Sequence, residues 1–513
     1  MTSRSLADIV KAYDVRGTVP DQLDAPVAFA LGAAFAEVVV LAEAPGDPSE
    51  STSSEPAPGC VIGHDMRDSG PVLVSAFADG VRSRGVDVIL IGLASTDGLY
   101  YASGSLDLPG AMFTASHNPA AYNGIKLCRA GARPVGQDTG LDRIRERAEE
   151  LLAAGATTTE ATIAADAGPP APGAPRTAAA AHLDTPGTLT ERDVLADYAT
   201  FLRGLVDLTG IRPLTVVVDA GNGMGGHTVP AVLETGAGLP ALPVNVIPLY
   251  FELDGTFPNH EANPLDPANL VDLQAAVREH GADLGLAFDG DADRCFVIDE
   301  RGEPVSPSAI TGLIARREVA RAVAEGADAA DVAIVHNVIT SAQVPEVIAR
   351  TGARAVRTRV GHSFIKAEMA RNDAVFGGEH SAHYYFRDFW FADTGMLAAM
   401  HVLAALGEQG APLSEVMADL SRYAASGEIN STVEDARAST EQVREWARDQ
   451  GVEVDELDGL TLVHAGGTGD PMWWLNLRAS NTEPLLRLNV EAADTETMVL
   501  VRDEVLSLVR ATG

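Results

Sequence analysis

The sequence predicts an α/β protein built from three similar mixed α/β domains and a smaller C-terminal α+β domain. Three observations lead there. The chain has 513 residues, and single hydrophobic cores stop growing at roughly 250–300. One grammar recurs along it: a short apolar β-branched run, a polar or Gly-rich loop, then a helical pattern. The last part drops that grammar for paired strands and a closing helix.

The recurring runs are Cys60–Ile62 before Gly63-His64-Asp65, Thr215–Val218 before Asp219-Ala220-Gly221-Asn222-Gly223, Leu284–Phe288 before Asp289, and Val332–Val335 before His336-Asn337. Runs of this kind suit strands buried on both faces and joined through helices, mostly in parallel. Ligands of such sheets bind at loops beyond the strand C-termini. The C-terminal part reads as strands over Trp473–Arg478 and Leu485–Glu491, joined by 479–484, with a helix from Thr495 to Val509. The expected domains are 1–192, 193–304, 305–425 and 426–513. Segments 43–59 and 153–190 are rich in Pro, Ser, Ala and Gly without a core-forming period and read as mobile surface insertions. The apolar stretch Pro26–Ala44 carries Glu37 and Glu43 and reads as a packed helix.

Composition narrows the function classes. Apolar residues make up 46% of the chain, enough for sizeable cores, and a net charge of −35 argues against nucleic acid as a partner. No run reads as a membrane span or a signal-peptide core. Cys60, Cys128 and Cys295 are scattered, which suits a reduced, cytoplasmic protein. Of 37 basic residues only Lys11, Lys126 and Lys366 are lysines. Lysine, unlike arginine, can shed a proton when desolvated, so a lysine in a functional loop draws attention as an acid/base.

Asp289, Asp291 and Asp293 alternate after a strand, and three hard oxygens at that spacing can converge on Mg²⁺. A calcium loop is excluded because Arg294 stands where that loop needs glycine and the flanks read as strands. Ser116 lies in Thr114-Ala115-Ser116-His117-Asn118-Pro119, with Lys126 ten residues on. It lacks the nucleophile-elbow pattern of hydrolases. A hydroxyl, an amine and three carboxylates are the parts of metal-assisted phosphoryl transfer through a serine. The 478–483 loop, with Arg478, Ser480, Asn481, Thr482 and Arg487 just beyond, suits a dianionic phosphate. Glu379-His380-Ser381-Ala382-His383 offers groups able to read sugar hydroxyls. His380 and His383 could also begin a zinc site, without evident further ligands. Gly361-His362-Ser363 follows an expected strand and opens a helix. Ala12-Tyr13-Asp14-Val15-Arg16 could bring a phenol and a guanidinium to the same place.

Taken in order, Thr114–Pro119, Asn123–Lys126, Asp289–Arg294, Gly361–Lys366, Glu379–His383 and Arg478–Pro484 resemble the α-D-phosphohexomutase superfamily over essentially the whole chain, and its phosphomannomutase/phosphoglucomutase branch in particular. The resemblance implies four domains around a central cleft and reversible interconversion of hexose 6-phosphate and hexose 1-phosphate, mannose and glucose alike, through a hexose 1,6-bisphosphate. It implies a phosphorylated Ser116 completing the shell of Mg²⁺ held by Asp289, Asp291 and Asp293. Lys126 would be the acid/base, its pKa lowered by burial and nearby arginines. Arg294 and Arg16 would sit near the phosphate, with His117 and His362 lining the reaction centre. Tyr13, Glu379, Ser381 and His383 would contact the sugar, and Arg478, Ser480, Asn481, Thr482 and Arg487 the far phosphate. The alternatives are a phosphoglucosamine mutase, a phosphatase using Asp289 as nucleophile, and a non-enzymatic sugar-phosphate sensor. Monomer and homodimer both remain open. Asn337-Val338-Ile339-Thr340-Ser341 stands where some relatives carry an active-site lysine, so another residue must serve there.

Overall fold

The computed structural model describes residues 5–43, 58–155, 185–448, 450–467, 470–479 and 485–510. They form two compact units, Met1–Glu303 with Asp388–Gly410, and Pro304–Arg387 with Ala411–Gly513.

The first unit carries two mixed sheets. One takes the order Val15–Thr18, Tyr122–Arg129, Gly110–Phe113, Gly59–His64, Asp87–Leu93, Leu189–Glu191. Its middle strands run parallel, while Tyr122–Arg129 pairs antiparallel on both sides. That reversal matters for function. It folds the residues after Ser116 straight back along the strand before it, setting Lys126 opposite Met112. The other sheet orders Cys295–Asp299, Leu284–Phe288, Leu214–Asp219 and Val244–Leu249. Leu284–Phe288 and Cys295–Asp299 are antiparallel, so the loop between them is a tight turn that carries the alternating aspartates.

The apolar segment Ala25–Glu43 is long and hydrophobic enough to cross a membrane, yet most of it is buried inside this unit, as a core helix would be. Asp24 caps it, with Pro26 in its first turn. It packs on the helix Gly70–Arg82 at very short range. A Cβ at Gly32 would lie 2.1 Å from the Phe77 carbonyl, and one at Gly80 the same distance from the Phe29 carbonyl.

The expectation for 153–190 needs correction at its end. Gly187 donates to Arg82, Thr188 N–H bonds the Asp87 carboxylate, and Leu189–Glu191 adds a parallel strand beside Asp87–Leu93. Three residues are too few to show a period, and the strand exists because a sheet edge offers it partners. Residues 156–184, like 44–57, lie outside the described residues.

The second unit has a sheet ordered Arg354–Thr358, Ala333–Asn337, Phe376–Gly378, Tyr384–Phe386, with the first three parallel. Its other sheet is antiparallel: Ala424–Thr432, Leu485–Ala492, Trp473–Ala479, Leu460–His464, Glu453–Asp455. Helices Ala436–Ala447 and Thr495–Arg510 cover that sheet around Val443, Leu475, Leu488 and Val505. The two antiparallel strands and the closing helix read from the sequence are present.

Gly80→Ala should be destabilising, because its methyl group meets backbone rather than a movable side chain. The expected cost is about 1–3 kcal/mol, read as a lowered thermal midpoint with the folded spectrum retained.

Candidate active site

Ser116 stands on the turn after Gly110–Phe113 with φ 49°, a left-handed conformation costly for a residue with a Cβ. Its neighbours hold it there. The Thr114 hydroxyl accepts from Ser116 N–H at 2.9 Å, and Ser116 Oγ donates to Asp289 Oδ2 at 2.8 Å, across 173 positions of sequence. The two loops touch through backbone: a Cβ at Gly290 would lie 2.4 Å from the Ser116 carbonyl oxygen. Only glycine permits this approach.

Asp289, Asp291 and Asp293 are all buried, and one oxygen of each lies within 4.8 Å of the others. Like charges this close need countercharge. Arg294, itself buried, bonds Asp289 through Nε at 2.9 Å and through NH2 at 2.8 Å. Lys126 Nζ donates to both Asp291 and Asp293, and Thr96 Oγ1 to Asp291 at 2.5 Å. Asp291 Oδ1 is buried with no hydrogen-bond partner. An all-oxygen cluster with such an atom fits a hard divalent cation.

The charges divide the three carboxylates. Burial pushes Asp289 up, against the pull of Arg294. For Asp291 burial acts the same way, but the charge and hydrogen bond of Lys126 outweigh it and hold the carboxyl well below its usual range. Lys126 itself departs from expectation. Burial does favour its neutral form, but Asp291 and Asp293 overcome it and hold the ammonium well above its usual range. Sequence reasoning counted the arginines as the decisive neighbours, whereas the carboxylates are the ones in contact.

His117 lies 3.2 Å from Ser116 Oγ through Nδ1. The same nitrogen accepts from Arg294 NH2 at 2.6 Å, so it is not free to take the serine proton. Burial, then Arg294 and Arg16, lower its pKa to about 2. Arg16 reaches the loop indirectly, donating to Asn118 Oδ1 at 2.7 Å while pairing with Asp14. Tyr13 lies half-buried in the bend just before Val15–Thr18.

In the second unit, Glu379 follows the strand Phe376–Gly378, and its N–H bonds the His383 carbonyl to close the loop. Tyr385 O–H donates to Glu379 Oε1 at 2.5 Å and Asn337 Nδ2 to Oε2 at 3.1 Å. Ser381 Oγ and His383 Nδ1 are 3.0 Å apart. His380 Nδ1 instead meets Ser308 Oγ at 2.9 Å. Among the described residues no cluster of three potential metal ligands contains both His380 and His383, so the zinc pair weighed from sequence is not assembled there. His362 opens the helix His362–Asn372. Arg478 and Arg487 face each other across the hairpin, and Glu428 approaches both, at 3.4 and 3.7 Å. The Nε atoms of both arginines are buried with no hydrogen-bond partner. Ser480, Asn481 and Thr482 lie outside the described residues.

Sequence reasoning missed Thr96, Asn118 and Tyr385, and saw Asn337 only as a missing lysine. Thr96 begins a helix after Asp87–Leu93, a position the strand–loop–helix grammar does mark. Tyr385 carries no comparable signal, since an aromatic residue in a strand reads as core.

A serine hydroxyl against a buried carboxylate cluster on repeated α/β domains has the chemistry that metal-assisted phosphoryl transfer requires. Family models for phosphoglucomutase/phosphomannomutase match in order: domain I over residues 7–154, domain II over 196–302, domain III over 306–423 and the C-terminal domain over 428–508. A phosphomannomutase of Escherichia coli is 36% identical over 504 residues, covering 98% of each chain. Phosphohexose mutases of Xanthomonas campestris pv. campestris are 37% identical over 499 residues, covering 97% of this chain and 98% of theirs. A solved phosphoglucomutase/phosphomannomutase family protein from Burkholderia thailandensis aligns with a TM-score of 0.79 at 28% identity, over 98% of this chain and 97% of its own. The chain belongs to the phosphoglucomutase/phosphomannomutase family and is an isomerase of the phosphohexomutase kind.

Since His117 is neutral at working pH, His117→Asn should alter the level of turnover but not the shape of its pH profile between about pH 5 and 9. A lost or displaced acid limb in that variant would contradict the assignment.

Proposed function

We propose that this mutase interconverts hexose 6-phosphate and hexose 1-phosphate, accepting both mannose and glucose, through a phosphoserine at Ser116 and a hexose 1,6-bisphosphate. The observation that carries this reading is the 2.8 Å contact between Ser116 Oγ and Asp289, inside a buried cluster that also holds Arg294 and Lys126. The names of its relatives, phosphomannomutase and phosphohexose mutases, support the choice of sugars.

In the first half of the cycle the bond between phosphorus and Ser116 Oγ breaks as a sugar hydroxyl oxygen bonds to phosphorus. Lys126 must be in its neutral form to take that hydroxyl's proton, and Asp289 faces the released serine oxygen. Arg294 offsets negative charge on the transferring group, the largest contribution in reactions of this type. Lys126 hands a proton back in the second half, when the other phosphate returns to Ser116. Mg²⁺ held by Asp289, Asp291 and Asp293 would neutralise charge on the phosphoryl group and draw the field of the carboxylates away from Lys126. Arg16 steadies the serine loop through Asn118.

Glu379, Ser381 and His383 read sugar hydroxyls, with Asn337 and Tyr385 fixing the Glu379 carboxylate. His362 and Tyr13 line the sugar's surroundings. Arg478 and Arg487, with Ser480, Asn481 and Thr482, bind the phosphate that is not reacting. Two arginines directly opposite repel each other unless an anion lies between them, and a phosphate suits that position better than Glu428 alone. The recognition groups must accept the phosphate at either end of the sugar, so the C2 configuration is weakly read. A cytoplasmic location accords with three buried cysteines, none of them in a disulfide.

Intact mass should show a species about 80 Da heavier, as a phosphate ester adds, and Ser116→Ala should lose both it and turnover. Lys126→Arg should be nearly as inactive despite keeping the charge. A coupled assay of mannose, glucose and glucosamine 1-phosphates should favour the first two. A clear preference for the amino sugar, or binding with no isomerisation, would overturn the reading.

A further inference from the structure

Arg67 is buried, 2% exposed, and it meets Ser116 through the backbone carbonyl rather than the reacting hydroxyl. Its guanidinium is spent on the backbone of the serine loop. NH1 donates to the carbonyls of Pro119 at 3.0 Å and Tyr122 at 2.9 Å. NH2 donates to those of Ser116 at 2.9 Å and Asn118 at 2.7 Å. Four terminal N–H groups thus meet four carbonyls, all within the seven-residue turn 116–122. Asp65 fixes the arginine from behind, with Oδ2 at 3.3 Å from Nε and Oδ1 accepting Arg67 N–H at 3.0 Å. From the loop that follows Val244–Leu249, the Phe257 ring covers the guanidinium with its centroid at 5.2 Å.

We infer that Arg67 is a positioning residue for phosphoryl transfer: it locks the serine loop in the left-handed turn that aims Ser116 Oγ at Asp289. Three features converge on this. The turn is uphill for serine, so something must over-determine it. Carbonyls turned inward need donors, and only a planar fork supplies four from one side chain. The arginine is buried beside an equally buried Asp65, an expensive arrangement that a merely structural turn would not require. Lysine cannot substitute, because its three protons leave a single nitrogen and cannot span the loop. The inference rests on Ser116 being the residue that carries the phosphate.

The test compares the parent enzyme with Arg67→Lys, Arg67→Ala and Phe257→Leu. Dephosphorylated enzyme is mixed with glucose 1,6-bisphosphate and the mass of Ser116 is followed in time. The kcat and KM for mannose 1-phosphate and the thermal midpoint are measured alongside. Displacing a reacting atom by about 1 Å costs roughly 100-fold, so Arg67→Lys should slow both phosphorylation and kcat by about that factor. KM should stay within about threefold, since no recognition group is touched. Guanidinium at low millimolar concentration should restore part of the rate of Arg67→Ala, while ethylammonium should not. Phe257→Leu, which leaves the fork in place but uncovers it, should lose kcat by a smaller factor at unchanged KM, and it keeps the test alive if the arginine variants do not fold. A folded Arg67→Lys with kcat within about threefold of the parent, losses confined to KM, or an unaffected Phe257→Leu would overturn the inference. Phosphate appearing equally on Ser116→Ala would instead overturn the assignment of Ser116, and the two failures are therefore distinguishable.

Discussion

Three carboxylates crowded into a buried space are the constraint on which the first unit depends. Taking charge out of water is costly, and like charges within a few ångströms add to the cost. The fold answers with Lys126 on one strand, Arg294 in the same loop and Thr96 at a helix start, each bonded to a specific carboxylate. Those partners come from separate segments and stay in place because the mixed sheets position them. The antiparallel return of Tyr122–Arg129 brings the lysine in, and the turn between Leu284–Phe288 and Cys295–Asp299 aims the aspartates.

The same crowding explains why the serine turn is strained. Ser116 must present its hydroxyl to Asp289 while its carbonyl passes close to Gly290. A relaxed turn would not do both. The strain is carried by Thr114 beneath and by the buried Asp65–Arg67 pair behind. Residues that never meet a substrate thereby decide where the reacting oxygen lies.

Much of this was legible in the sequence. Strand–loop–helix units and the C-terminal hairpin were clear because apolar periods and turn residues are local signals. Ser116, Lys126 and the aspartates stood out because hydroxyl, amine and alternating carboxylates are unusual at the ends of strands. What escaped is non-local. The short strand Leu189–Glu191 is defined by the edge it joins. The protonation of Lys126 depends on which charges it touches, and spacing cannot rank those contacts. Tyr385 and Thr96 are ordinary residue types singled out only by the carboxylates they meet across 6 and 195 positions.

The account claims that one cation and the Ser116 oxygen share a single phosphoryl group. Loading the phosphorylated enzyme with Mn²⁺ and recording phosphorus electron–nuclear double resonance tests this directly. The account predicts a strong ³¹P hyperfine coupling of a directly coordinated phosphoserine, abolished by Asp291→Asn. Mn²⁺ bound by the wild type without any phosphorus coupling would contradict it.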